Sequence, residues 1–289
     1  SKQGEFAYAF YRKYGRETAN LVYAITTSKV AYEFTRKVYE LLELDITHVE
    51  MNYTSYDLID QQKLTAKDGI KIGNSTIKPD IVIGGPPFQK SDGGGRESSA
   101  VSIYHHFILQ ARALNPRYIS MIIPARWYSG GKGLDEFRAE MLNDKRLAQI
   151  HDFPETSDIF PRLNVRGGVC YFLWDREHNG DCNVINYKGG KIMSTKLRPL
   201  LEPDTRVFIR YNEAIQILRK VKKLNEETFD QIVSPRKPFG LASNFSNFQK
   251  NKSARNNIVL YRFGNNGYVN KGQVKNNKEW LTQTKVLVS

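Results

Sequence analysis

From Asp80 to Gln89 the chain reads Asp-Ile-Val-Ile-Gly-Gly-Pro-Pro-Phe-Gln. Three consecutive β-branched residues favour a strand. The two prolines that follow have no N–H and a locked φ, and each keeps the residue before it out of the helical region. The segment therefore predicts a buried strand that runs straight into a rigid loop. In open α/β sheets, ligands collect beyond the carboxyl ends of the strands, so Gly84 to Gln89 is where chemistry is expected. Taken by itself, the pattern fits equally well a proline-stiffened turn around a buried Phe.

The flanking sequence supplies the rest of a layered α/β unit. Phe6, Tyr8, Ala9, Phe10 and Tyr14 predict a helix over 4–14, Leu21 to Ile25 a strand, and Ser28 a cap for a helix reaching Leu44. After the Pro-Pro loop, Ser91 to Ser99 is small, polar and glycine-rich, the composition of a mobile loop. Helices are predicted over 101–114 and 134–142, with strands over 118–123, 148–153 and 168–174. Apolar strands without alternation argue for a mainly parallel sheet covered by helices on both faces. After about Pro203 a basic helix over 211–223 leads into a Ser/Asn/Arg/aromatic-rich region, so a domain boundary is placed between 203 and 204.

Composition narrows the partner. With 43 Lys and Arg against 30 Asp and Glu, the formal charge is +13, which favours a polyanion, nucleic acid before membrane. A merely basic soluble protein would carry the same charge. No run approaches the about 18 apolar residues needed to span a bilayer, and a cytoplasmic location is expected. The two cysteines, Cys170 and Cys182, form no CxxC pair and read as reduced core residues. The five histidines include no metal-binding spacing, so no metal is expected, and the neighbours His105 and His106 should point to different faces.

The ordered series Asp80-Ile81-Val82-Ile83-Gly84-x-Pro86-Pro87-Phe88-Gln89, Ile103-Tyr104-x-x-Phe107, Ile119 to Trp127, Phe137-Arg138, Phe160-Pro161 and Gly167 to Phe172 resembles the gamma-class adenine-N6 DNA methyltransferases of bacterial restriction–modification systems. The resemblance runs from about Gly4 to Trp174. It implies a Rossmann-like methyltransferase core over 1–203, S-adenosylmethionine as cofactor, and double-stranded DNA as substrate, with a restriction endonuclease domain or subunit as a further partner. It implies that Gly85, Pro86, Pro87 and Phe88 form the catalytic loop. There Pro86 offers its carbonyl to the adenine amino group, and Phe88 stacks on a base flipped out of the duplex. Cofactor contacts are implied at Gly4, Glu5, Phe6, Thr26, Asn52 and Tyr53, and DNA contacts at Arg126 and Trp127.

The chain departs from that pattern where it matters most. The family's loop carries Asn at the place of Gly85, and its side-chain oxygen helps localise charge on a weakly nucleophilic amino nitrogen. Thr26 stands where an acid binds the ribose hydroxyls. The glycine-rich first loop would precede Gly4, so the N-terminus is expected to be truncated, and the C-terminus to stop short. A cytosine-5 methyltransferase would place a nucleophilic Cys at Phe88. A restriction-type nuclease site would show an acid two residues before a Lys, a pattern the sequence lacks. Beyond residue 203 basic residues such as Arg236 and Arg262 alternate with aromatics, as in the start of a β-rich DNA target-recognition domain. Two functions stand: adenine methylation silenced by Gly85, or a catalytically silent DNA-binding specificity module.

Overall fold

The computed structural model describes residues 4–26, 28–51, 69–90, 101–131, 133–226, 233–234, 237–242, 244–262 and 264–286. Contacts divide the chain into two units, Ser1–Arg219 and Lys220–Ser289.

In the first unit, helix α1 (Glu5–Ala19) precedes strand β1 (Ala24–Ile25), helix α2 (Lys29–Leu41) and strand β2 (Val49–Glu50). Gly15, at φ 85° and ψ 178°, breaks the helical geometry inside α1. Ser28 caps α2 as expected: its Oγ accepts from the Ala31 N–H at 3.2 Å. β1 and β2 pair in parallel, and Ala7, Ala19, Ala24, Tyr39, Leu44 and Val49 form a small core around them.

A short hairpin follows, β3 (Ile70–Ile72) with β4 (Ser75–Ile77), and then β5 (Ile81–Gly84), the strand expected before the Pro-Pro loop but at the edge of the sheet, with Ile81 exposed and the rest half-buried instead of buried. Strands β6 (Gln89–Lys90) and β7 (Val101–Ser102) pair antiparallel, with Gln89 opposite Ser102. That ribbon corrects the expected helix over 101–114. Val101 and Ser102 are taken by the pairing, so α3 runs only over Tyr104–Ala113. The loop 91–99 lies outside the described residues. Next come β8 (Tyr118–Pro124), α4 (Asp135–Asn143), β9 (Leu147–Phe153), β10 (Val169–Asp175), β11 (Cys182–Lys188), β12 (Lys191–Arg198) and α5 (Asn212–Lys222).

Six strands build the main sheet in the order β12-β11-β9-β10-β8-β5. β5 pairs in parallel with β8, and β9 with β11, whereas β10 lies antiparallel between β8 and β9, and β12 antiparallel to β11. β5, β8, β9 and β11 therefore all point the same way, in a mixed sheet rather than the mainly parallel one expected. The reason lies in the connections. No α-helix separates β9 from β10, so β10 turns back beside it, and the β11–β12 hairpin closes through Gly189 and Gly190, both at positive φ.

Tyr104, Ile108 and Ala111 of α3 and Phe137 and Met141 of α4 pack on Ile119, Met121, Ile123, Ile150 and Phe172 to form the principal core. On the opposite face Ile122, Tyr171, Gln149 and His151 are half-buried. His151 stacks on Tyr171 at 4.2 Å, and Phe153 on Tyr187 at 4.2 Å.

α5 belongs with this sheet. Asn212, its first residue, donates its N–H to Asn186 Oδ1 (3.2 Å) and its side-chain amide to the Val184 carbonyl (3.0 Å). These bonds carry the first unit past the boundary drawn at residue 203. In the second unit the described strands are β13 (Ile258–Leu260) and β14 (Gly267–Val269), an antiparallel pair with Val269 and Val274 buried.

Candidate functional site

The codirectional strands β5, β8 and β9 bring Gly84, Pro124 and Phe153 to one end of the sheet. Gly84 pairs with Met121, and Val169 lies opposite both Pro124 and Phe153. The Gly-Gly-Pro-Pro loop therefore leaves β5 at the carboxyl end of the codirectional strands.

Within the loop, Pro86 is buried, Pro87 and Phe88 are half-buried, and Gly85 is exposed. The Phe88 carbonyl accepts the Ile103 N–H at 3.3 Å, which ties the loop to the residue capping α3. Gly85 does not occupy the left-handed region, so no turn demands a glycine there. A Cβ at this position would lie 3.2 Å from Ile122 Cγ2 and meet no other atom within 4 Å. The loop thus presents main-chain carbonyls and an aromatic ring, with no side-chain acceptor at position 85.

At the start of α3 the rings of His105 and His106 lie 3.9 Å apart instead of pointing to different faces. Burial, and next the neighbouring His106, push His105 down to about 4, so it is neutral near pH 7.

The other candidates separate. Arg126 is exposed at the end of β8. Trp127 is a correction: its side chain is 0% exposed and sits in the principal core, packed on Phe137 and Tyr128, so its indole is out of reach of nucleic acid. The helical turn after β8 folds that ring inward. Thr26 is also corrected. It is 0% exposed, its N–H and Oγ1 both donate to the Glu50 carbonyl (3.0 and 3.2 Å), and it ties β1 to β2 rather than facing a ligand.

Gly4, at φ 72°, caps the start of α1 with a Cβ position only 3.2 Å from Val38, and its carbonyl accepts the Tyr8 N–H. Glu5 is exposed in the first turn, and Phe6 is half-buried. Asn52, Tyr53 and Arg236 lie outside the described residues. Arg262 is exposed, with its guanidinium 4.3 Å over the Phe248 ring.

Sequence reasoning missed the buried polar assembly behind this end of the sheet. Asp152, 0% exposed near the end of β9, accepts two hydrogen bonds from Arg210 at 2.7 and 2.8 Å. Burial pushes the Asp152 carboxyl up, and Arg210 opposes that shift. Arg210 also donates to the Gly167 carbonyl at 2.7 Å. An Asp-Phe-Pro and an Ile-Arg-Tyr tripeptide so far apart carry no local sign of each other. Cys170 and Cys182 are free and buried, as expected, and burial pushes both thiols up to about 12. No group of three or more His, Cys, Asp or Glu able to hold a metal occurs among the described residues.

A mixed α/β sheet with a Gly-Gly-Pro-Pro loop at the carboxyl end of its edge strand β5 is the class of architecture the fold defines. Comparison narrows it: the model of the Eco57I restriction-modification methylase family matches residues 14–160, half of the chain, and the chain belongs to that family. A curated relative from Mycoplasma pneumoniae, named as an uncharacterized adenine-specific methylase, is 33% identical over 139 residues. The match covers 47% of this chain and 33% of the relative, so the chain spans about a third of that protein's length. Among solved structures, the methyltransferase subunit of a type I restriction-modification system from Streptococcus thermophilus is similar at 12% identity and a TM-score of 0.43, over 74% of this chain and 45% of that one. The M protein of the type I enzyme EcoKI is similar at 16% identity and a TM-score of 0.39, over 57% of this chain and 35% of that one.

Proposed function

We propose that this chain carries the core of an adenine-N6 DNA methyltransferase of a restriction–modification system, with transfer disabled at Gly85. The observation that supports it is the Gly84–Phe88 loop itself. It stands at the carboxyl end of β5, with a buried Pro86 and, at Gly85, a backbone that tolerates a side chain once the 3.2 Å approach to Ile122 Cγ2 is relieved. In this reading the Pro86 carbonyl accepts from the adenine amino group and Phe88 supports the flipped base, a contact worth about 1–3 kcal/mol. The proposed cofactor, S-adenosylmethionine, supplies an electrophilic methyl group. The described residues fit it incompletely. Gly4 gives α1 a close-packed start, but Thr26 is committed to Glu50 and offers no carboxylate to a ribose. Arg126, and in the second unit Arg262, are the proposed DNA contacts.

A second reading, a DNA-binding specificity module that performs no transfer, is favoured by Gly85 and by the commitment of Thr26. Labelled-methyl incorporation into duplex DNA by the full-length protein separates the two. Background incorporation in the wild-type chain, raised by Gly85→Asn, supports the first. Background in both, with duplex binding retained and cofactor binding demonstrated, leaves only the second.

A further inference from the structure

The connection between β9 and β10, residues 154–168, is a long surface loop held as if it were part of the core. Thr156 Oγ1 donates to the Val165 carbonyl (3.1 Å) and accepts the Val165 N–H (3.3 Å), which pins both ends of the loop's excursion together. Turns at Phe160–Leu163 and Val165–Gly168 are each closed by a backbone hydrogen bond. Arg210, clamped on Asp152, holds the Gly167 carbonyl, and the Gly168 carbonyl accepts the Ala125 N–H at 3.0 Å. Gly168 sits at φ 78°, where a Cβ would collide with the Phe153 and Pro154 carbonyls.

What this framework presents is charge. Arg162 and Arg166 are exposed, and among the described residues neither makes a hydrogen bond or an ion pair. Two acids stand on the same loop, yet Glu155 pairs with neither arginine, and Asp158 Oδ2 is buried without a partner. Elsewhere in the first unit Arg16, Arg112, Arg117, Arg138, Arg146 and Arg219 each face a carboxylate, whereas Arg12 and Arg36 turn to tyrosine rings and Arg206 is exposed without an ion pair among the described residues. Arg126, joined to the loop through Ala125, is exposed and likewise without an acid. Uncompensated guanidiniums on a preorganised support, at the ligand end of the sheet, fit bidentate recognition of phosphate.

We propose that the β9–β10 loop is a phosphodiester clamp, in which Arg162 and Arg166 grip the duplex backbone beside the site of the Gly84–Phe88 loop. The inference rests on the DNA reading above but not on methyl transfer. Its test is the salt dependence of binding to a short mixed-sequence duplex. Each lost phosphate contact should lower the magnitude of the slope of log affinity against log salt by about 0.9. The double variant Arg162→Gln/Arg166→Gln should therefore lower it by about 1.8, with an unchanged thermal unfolding profile. The control Lys145→Gln/Arg176→Gln, which removes equal charge from the opposite end of the sheet, should leave the slope unchanged. A wild-type slope in the loop variant overturns the clamp and leaves the function reading standing. An equal loss in the control overturns it as well, because net charge alone then explains the effect. Failure of the wild-type protein to bind any duplex at low salt overturns both readings. A larger slope loss with single-stranded RNA than with the duplex overturns the assignment to duplex DNA.

Discussion

Arg210 and Asp152 meet across 58 residues of sequence through two hydrogen bonds, at 2.7 and 2.8 Å, and the carboxylate is fully buried. The same guanidinium reaches the Gly167 carbonyl, so one buried pair fixes β9, the β9–β10 loop and the chain entering α5.

Arg210→Met should therefore destabilise the first unit by about 3–5 kcal/mol, because it leaves a buried carboxylate without its cation. Burial already raises Asp152, and removing Arg210 takes away the group that opposes the shift. The sign follows from linkage: an acid with a raised folded-state pKa binds protons more tightly when folded, so stability falls as pH rises from the unfolded pKa through the folded one. The penalty should accordingly be smaller at about pH 5 than at about pH 8. Urea unfolding of the variant at both pH values checks this, and a pH-independent penalty would contradict it.

Gly85→Asn should raise methyl transfer to adenine by on the order of a hundred- to a thousandfold, the effect of restoring one preorganised acceptor. Duplex affinity should change by less than about tenfold. Backbone strain does not oppose the substitution. The 3.2 Å approach to Ile122 Cγ2 does, and Ile122→Leu, which removes that methyl branch at constant volume, should relieve it. Labelled-methyl incorporation by the single and double variants is the measurement. A folded, cofactor-binding double variant that stays at background would end the amino-methyltransferase assignment of this loop.

Thr26→Val should cost about 1 kcal/mol of stability, the worth of one hydrogen bond to the Glu50 carbonyl. It should leave S-adenosylmethionine affinity unaltered. Calorimetric titration of the two proteins tests this. Tight binding in the wild type that Thr26→Val abolishes would return Thr26 to the cofactor site.

Gly168→Ala should destabilise by at least about 2 kcal/mol, since the residue combines positive φ with two carbonyls in the way of any Cβ. Gly167→Ala, also at positive φ but with nothing within 4 Å of its Cβ, should cost about 1 kcal/mol. Paired denaturation curves distinguish the steric from the conformational contribution, and equal losses would refute the steric part.

The sequence alone was enough to place the strand into Gly84–Phe88, the serine cap of α2, the core cysteines and the basic character, because each is written in adjacent residues or in bulk charge. β-branching, proline geometry and a side-chain cap act over a few positions and need no partner. The β11–β12 hairpin was legible too, in the Gly189-Gly190 pair, although the expected elements omitted it. Only the tertiary structure decided the rest. It turned Trp127 inward, gave the Thr26 hydroxyl to Glu50, inserted β10 antiparallel between β8 and β9, and joined Asp152 to Arg210. Those outcomes depend on which segments meet across the sheet, and contact between residues far apart in the chain leaves no periodicity or spacing in a single sequence. The same holds for Arg162 and Arg166. That they stand on a hydrogen-bonded loop at the same end of the sheet as Pro124 is visible only in the fold.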